Sequence, residues 1–187
     1  MAANTIFAKQ RGGDMSTNQT INYQPAAEYK RVEASVTRKI MASPRKIFPL
    51  ACPVEELRWI PQWDYQLIYS KSGVNEINCI FNEDKSGLHF FETPMTTTWI
   101  TTTHDPVRYL VIFQIYLGGK AVIRLEIRFR AMGVNVSSVS WHMVFTALDD
   151  EANAIPVETI QVRMELMMAF LADLLKHYCE TGEIMSL

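Results

Sequence analysis

The sequence has few of the residue patterns that mark metal centres, disulfide frameworks or nucleotide sites. Its three cysteines and four histidines are widely spaced, with no Cys-x-x-Cys pair and no metal-ligand spacing. A phosphate loop, a dinucleotide fingerprint and a Gly-x-Ser-x-Gly motif are all absent. We therefore expect reduced thiols, no metal and no cofactor.

The chain also lacks a strong net charge and a long apolar run. Its formal net charge of −2 at pH 7 gives no general attraction to nucleic acid or to an anionic membrane. No apolar run approaches the roughly 20 residues that a membrane span requires, and the N-terminus has no secretory apolar core. We expect a cytoplasmic protein with no nucleic-acid partner and no membrane span.

Composition divides the chain into a short N-terminal segment and one domain. Residues 1–28 are rich in Gly, Ser, Thr, Asn and Gln, which is typical of a flexible tail. Residues 29–187 are long enough to form a single domain with a substantial apolar core.

The domain opens with a strand that is followed by two short helices. Alternating apolar and polar residues predict the strand over about 29–41. Pro44 and Pro53 each suit the first position of a helix, and Pro49 and Pro61 keep both helices short. The chain therefore bends after its first strand.

The middle of the sequence predicts strands only, and the end predicts one long helix. The further strands are expected over about 65–71, 77–83, 88–92, 95–103, 108–117, 121–131 and 135–148. Gly118-Gly119 and Met132-Gly133 are typical of hairpin turns. Apolar residues at helical spacing then fill 156–181, and such a helix must bury its apolar side on the sheet.

This order of elements resembles the helix-grip fold of the START-like (SRPBCC) superfamily, which includes birch-pollen-allergen, polyketide-cyclase and Hsp90-activator-like proteins. The resemblance covers about residues 29–183 and is carried by the segments Ala42–Phe48 and Cys52–Ile60, with Trp63. It implies an α+β fold, in which a curved antiparallel sheet of about six or seven strands wraps around a long C-terminal helix. Two short helices follow strand one.

Two details refine the resemblance. The Cys-Pro-x-x-Glu and tryptophan pattern is similar to a bacterial branch of the superfamily for which no particular activity is implied. The allergen-like branch carries a glycine-rich loop early in its sheet, whereas the matching turn here holds only Gly73. Binding modes that depend on that loop are therefore not implied.

One strand predicts which face of the sheet is apolar. In 121–131, Ile123, Leu125, Ile127 and Phe129 alternate with Arg124, Glu126, Arg128 and Arg130. The charged set must face water or a partner, so we expect the aliphatic set on the concave face. We interpret the charged row as a solvated face with cross-strand ion pairs, and a docking strip for a partner is the alternative.

The strand 108–117 has two possible registers. A plain two-residue turn at Gly118-Gly119 sends Gln114 and Tyr116 inward, whereas a bulged turn sends Phe113 inward. The bulged turn is favoured because it keeps polar groups out of the apolar interior.

A cavity between the sheet and the last helix is the expected ligand site. Its predicted lining is large and apolar, and it includes methionines, which adapt to varied apolar ligands. The candidate ligand-binding residues are Trp59, Trp63, Phe81, Trp99, Phe113, Ile127, Phe129, Trp141, Met143, Met164, Met168 and Leu171. The alternative is a solid core, in which the methionines fill gaps and Trp59 and Trp63 only anchor the short helices.

The leading hypothesis is binding of a small hydrophobic molecule, lipid-like or aromatic, in that cavity. The first alternative is an enzyme of polyketide cyclase or aromatase type, which needs only a few polar side chains in a shaped apolar pocket. The second is a protein-interaction module of the Hsp90-activator-like kind, and a homodimer is a further possibility. No catalytic residue is predicted.

Overall fold

The computed structural model describes residues 28–84, 90–91 and 95–186, and it confirms the α+β helix-grip fold. The strands are β1 (Arg31–Ile40), β2 (Gln66–Tyr69), β3 (Ile80–Glu83), β4 (Thr97–Asp105), β5 (Leu110–Leu117), β6 (Ala121–Gly133) and β7 (Val136–Ala147). The helices are α1 (Pro44–Ile47), α2 (Pro53–Glu56), α3 (Asp150–Ala154) and α4 (Val157–Thr181).

Two predictions fall on residues outside this description. The flexible N-terminal tail lies outside it apart from Glu28, and most of the strand expected over 88–92 does too. Phe90 and Phe91, which are described, do not belong to a strand. The short helix α3 was not predicted, although Asp149 caps it by accepting a hydrogen bond from the Ala152 backbone N–H at 2.8 Å.

The seven strands found in the described residues belong to one curved antiparallel sheet in the order β1-β7-β6-β5-β4-β3-β2. The predicted count of six or seven strands is therefore confirmed. Strands β5, β6 and β7 pair over most of their length, so the apolar faces of all three lie side by side. The two short strands β3 and β2 form one end of the sheet.

The register of β5 confirms the bulged turn. Leu117 pairs with Ala121 across a three-residue connection, and Phe113 pairs with Leu125 and is buried. Gln114 and Tyr116 lie on the opposite face. The other predicted hairpin is shifted, because β6 continues through Gly133, which pairs with Val136, and Val134 and Asn135 form the turn.

Helix α4 lies across the apolar face of the sheet. Ile160, Met164, Met168, Ala172 and Leu175 form its fully buried stripe. The helix ends at Gly182, whose φ of 80° is the left-handed conformation that glycine adopts without strain. At the edge of the sheet, Arg38 on β1 donates to Asp173 on α4 at 2.7 Å and ties the two elements together.

The two short helices are anchored through buried or partly buried hydrogen bonds. Trp59 Nε1 donates to the Leu50 carbonyl at 3.0 Å, and Trp63 Nε1 donates to the Pro53 carbonyl at 2.8 Å. The Asn75 side chain donates to the Ala51 carbonyl at 2.9 Å. A buried indole or amide group costs free energy unless it is paired, so these bonds hold the α1–α2 segment in one position over the sheet.

Candidate functional site

A cavity of about 210 Å³ lies between α4, the segment that follows α2, and the concave face of the sheet. Strands β3 to β7 each contribute at least one side chain to its wall, so the register of the sheet determines what the cavity presents. Its lining residues are Glu56, Trp59, Ile60, Pro61, Gln62, Trp63, Asp64, Glu83, Trp99, Phe113, Leu125, Ile127, Trp141, Met167, Phe170 and Leu171.

All four tryptophans of the chain line this one cavity. Trp59 and Trp63 come from the segment after α2, Trp99 from β4 and Trp141 from β7. Trp59 and Trp63 anchor that segment through their N–H groups and also contribute to the wall. The two interpretations of these residues, as helix anchors and as cavity residues, are therefore compatible.

An aromatic cluster supports one side of the cavity. Phe81 and Trp99 stack with ring centroids 5.5 Å apart, and Phe113 meets Trp99 edge to face at 5.6 Å. Tyr65 meets Phe81 edge to face at 6.3 Å and stacks with Trp63 at 6.2 Å. Rings in these geometries hold one another in place, so the wall that they form is rigid.

Two carboxyl groups interrupt the apolar wall. Glu83 is the inward residue at the end of β3, where its Oε2 accepts a hydrogen bond from Trp99 Nε1 at 3.2 Å. Glu56 ends α2. Desolvation, and secondarily the charge of Glu83, raise the pKa of Glu56 from 4.5 to about 8. A carboxyl group with this pKa exchanges its proton near neutral pH.

The buried indole of Trp141 also departs from the usual pattern. Its Nε1 has no hydrogen-bond partner among the described residues, although the side chain is only 3% exposed. Buried indole N–H groups normally find an acceptor, because an unpaired one costs about 1–3 kcal/mol. Trp141, a residue of the cavity wall, therefore has an indole N–H without an acceptor in the described part of the chain.

The structure brings seven of the predicted site residues together around the cavity: Trp59, Trp63, Trp99, Phe113, Ile127, Trp141 and Leu171. It places the other five in the packed core instead: Phe81, Phe129, Met143, Met164 and Met168. Phe81 supports the wall from behind through Trp99. Phe129 packs against Phe48 with ring centroids 5.8 Å apart, in a separate part of the core.

The prediction missed several wall residues. Met167 and Phe170 lie beside the buried stripe of α4, and helical periodicity alone does not distinguish the centre of such a stripe from its flank. Glu83 shares the strand alternation of the buried Phe81, so its inward direction was visible in the sequence. Glu56 carried no such signal, because α2 is too short to show periodicity.

The cysteines are free and lie apart from the cavity wall. Burial raises the pKa of both the Cys79 and the Cys179 thiol to about 11. Since the thiolate is the nucleophile and the metal ligand, these two groups are poorly reactive at neutral pH.

In the described part of the chain, no helix combines the length and the apolar character needed to cross a membrane.

No protein-family model matches the sequence, and no curated protein is detectably similar to it. Solved structures, in contrast, superpose well. A point mutant of norcoclaurine synthase from Thalictrum flavum, in complex with a transition-state analogue, matches with a TM-score of 0.63 and 14% identity. The match covers 84% of this chain and 99% of the synthase chain.

Two bacterial proteins give similar results. The Zhui aromatase/cyclase from Streptomyces sp. R1128 matches with a TM-score of 0.55 and 10% identity, over 81% of this chain and 94% of that one. A START superfamily protein from Mycobacterium smegmatis matches with a TM-score of 0.57 and 14% identity, over 79% of this chain and 97% of that one.

These likenesses, together with the curved sheet and the long helix, define the class of protein. The chain has a helix-grip α+β fold with an internal cavity between sheet and helix. Within that class it has the fold of the START-like, or SRPBCC, superfamily. At identities of 14% or less, the comparisons show the fold alone.

Proposed function

We propose that the protein binds a small apolar molecule in the cavity beneath α4. The observation that carries this proposal is the cavity itself, because its walls are built mainly from aromatic and aliphatic side chains with a few polar groups. This composition is typical of small-molecule sites. A solid core, which was the alternative, does not leave such a space.

The size of the cavity narrows the class of ligand. A cavity of roughly 150 Å³ holds benzene, whereas sites for drug-sized ligands span about 300–1,000 Å³. The volume of about 210 Å³ lies between these values. It therefore favours a molecule with one ring and a short substituent over a long lipid or a fused polycycle.

Binding can be tested with para-fluorotoluene, whose fluorine NMR signal broadens and shifts when it enters a protein. Leu171→Trp adds a bulky ring to the cavity wall and should abolish binding. Leu166→Trp is the matched control, because it makes the same change on the exposed face of the same helix. Native mass spectrometry of freshly purified protein would show whether a ligand of this size co-purifies with it.

The proposal fails if the wild-type protein does not affect the probe signal at any concentration. It also fails if Leu166→Trp and Leu171→Trp reduce binding equally, because the probe would then bind outside the cavity.

An acid–base enzyme of the polyketide cyclase kind is the second candidate. It is supported by Glu56, whose pKa of about 8 suits proton transfer at neutral pH. The expected activity is exchange of the protons on the carbon next to the carbonyl of a one-ring ketone such as phenylacetone. Proton NMR in deuterated buffer measures the rate of this exchange. The enzyme hypothesis is supported if the wild-type protein exchanges these protons faster than buffer does and Glu56→Gln does not. It is contradicted if the wild-type protein gives only the rate in buffer.

The interaction-module hypothesis has less support. Glu126 pairs with Arg124 and with Arg128, each at 2.7 Å, within a single strand rather than across strands. Three charges of the outer row therefore satisfy one another without a partner. The cytoplasmic location and the homodimer stay predictions.

A further inference from the structure

The charged and polar groups in the cavity wall suggest what kind of ligand the cavity takes, provided that the proposed binding function is correct. Three carboxyl side chains line it: Glu56, Asp64 and Glu83. Among the described residues of the wall there is no lysine, arginine or histidine. The described part of the wall is therefore acidic, although the chain as a whole is nearly neutral, with a net charge of −2.

Of the three carboxyl groups, Glu56 combines partial burial with a lack of protein partners among the described residues, whereas Asp64, which also makes no hydrogen bond there, is exposed. Within the described residues, the Glu56 side chain makes no hydrogen bond and no ion pair, and it is only partly exposed. The nearby carboxyl of Glu83 opposes its ionisation. A buried carboxylate is stable only when an opposite charge or several donors compensate it, and the described wall offers neither to Glu56.

The four tryptophans add a second preference for positive charge. An indole ring attracts a cation over its face more strongly than any other side chain does, and the attraction grows when water is excluded. Trp59, Trp63, Trp99 and Trp141 surround a space that also holds the carboxyl groups. A cage of aromatic rings is a well-known way to bind a quaternary ammonium group, and here carboxyl groups line the same space as the rings.

Trp141 contributes an independent observation, because its N–H has no acceptor in the described protein and is almost completely buried. A cation offers no lone pair to this group. The ligand must therefore carry an acceptor oxygen as well, if it is to satisfy the indole.

From this arrangement, we propose that the cavity binds a small organic cation, an ammonium group on an apolar body with one acceptor oxygen. The ammonium group lies between the tryptophan faces and Glu56, and the oxygen accepts from Trp141 Nε1. Binding ionises Glu56, so a proton leaves the protein as the cation enters.

The first experiment compares two probes of the same shape, benzyltrimethylammonium and its neutral carbon isostere neopentylbenzene, by calorimetry and ligand-observed NMR. The cation should bind the wild-type protein at least about tenfold more tightly than the isostere. Glu56→Gln should remove most of this preference, because it should weaken binding of the cation more than binding of the isostere. Glu55→Gln, whose carboxylate pairs with Arg58 away from the cavity, should behave like wild type.

The pH dependence in the wild-type protein needs no variant. Benzyltrimethylammonium does not titrate, so the pH dependence of its affinity should come from the protein. The affinity should rise up to about pH 8 and then level off, because above that pH Glu56 is already ionised before the ligand binds. The titratable groups that share its surroundings are Glu83 on β3, and Asp64 and Tyr65 in the segment after α2. Glu56→Gln should flatten the profile between about pH 6 and 8.

The acceptor oxygen is tested with a second matched pair, in which one N-methyl group of the cation is replaced by hydroxyethyl or by propyl. The hydroxyl compound should bind the wild type several-fold more tightly, and Trp141→Phe should abolish that difference.

The outcomes separate the two proposals. If the isostere binds as tightly as the cation, the cation proposal is wrong and the cavity remains a site for neutral apolar molecules. If the cation is preferred equally by wild type and Glu56→Gln, the assignment to Glu56 is wrong. If neither probe binds, the proposed function itself fails.

Discussion

Met168 and Leu171, both on α4, should respond differently to the same substitution. Met168 is fully buried and lies outside the cavity wall, whereas Leu171 lies in the wall. Met168→Trp should therefore overpack the core and lower the free energy of unfolding by roughly 1–3 kcal/mol. Leu171→Trp has free volume to enter and should cost less, as measured by urea denaturation. Equal losses for the two variants would contradict the placement of the cavity.

As the pH rises, ionisation of Glu56 should lower the free energy of unfolding of the ligand-free protein. The pKa of Glu56 is 4.5 in ordinary surroundings and about 8 in the folded state. Between these values the folded state binds more protons than the unfolded state, so the free energy of unfolding falls with rising pH and levels off above about 8.

The corresponding prediction is a gain in relative stability for Glu56→Gln. The difference in unfolding free energy between variant and wild type should grow from about pH 6 to about pH 8, by up to about 1.4 kcal/mol for each pH unit. Other titrating groups, such as His104, whose pKa burial lowers, contribute to both proteins and cancel. Urea titrations at both pH values measure the effect, and a pH-independent difference would contradict it.

For single residues, the sequence predicted burial correctly where apolar residues recur at a regular spacing. Phe113, Ile127 and Trp141 belong to alternating strands, and all three line the cavity. Met164 and Met168 share the apolar stripe of α4 with Leu171, and only the angle at which the helix lies on the sheet decides which flank meets the cavity. That angle depends on tertiary packing, which one helix does not encode.

The hairpin between β5 and β6 determines which side chains of β5 face the interior. Gly118 and Gly119 adopt φ values of 53° and 79°, a conformation that costs other residues roughly 1–2 kcal/mol. Gly119→Ala should therefore destabilise the protein by about that amount, although open space surrounds the new methyl group. Thermal unfolding followed by circular dichroism measures the loss.

Gly133→Ala is the control for this prediction. Gly133 has no positive φ, and an added Cβ would approach Val136 no closer than 4.0 Å. Alanine should be neutral or slightly stabilising there, because glycine weakens a strand. A comparable loss of stability at both positions would show that the positive φ of Gly119 is not the cause of the loss.

The elements themselves follow from local patterns to a large extent. Alternation predicted the long strands β5 to β7, and helical spacing predicted α4, because each is long enough for the period to repeat. The predictions were less accurate where elements are short. Helix α3 was missed, and β6 runs past the expected turn at Met132-Gly133 because the chain turns at Val134 and Asn135 instead.

For the whole molecule, the cavity results from the way one helix and one curved sheet meet. A single helix cannot fill the full width of a seven-stranded sheet, and the α1–α2 segment closes one end without filling the gap. The free space lies where the flank of α4 faces β3 to β7. The elements that form the core therefore also form the cavity, so a ligand inside it contacts most of the fold.

Occupation of the cavity should therefore stabilise the entire domain. A ligand present at about 100 times its dissociation constant adds about 2.7 kcal/mol to the free energy of unfolding. For a chain of this size, that gain corresponds to a rise in Tm of roughly 5–10 °C. Benzyltrimethylammonium should produce this rise above about pH 8, in a single transition, and Leu171→Trp should eliminate it. A ligand that bound a surface patch would give the same shift in both proteins, and that result would contradict a site inside the core.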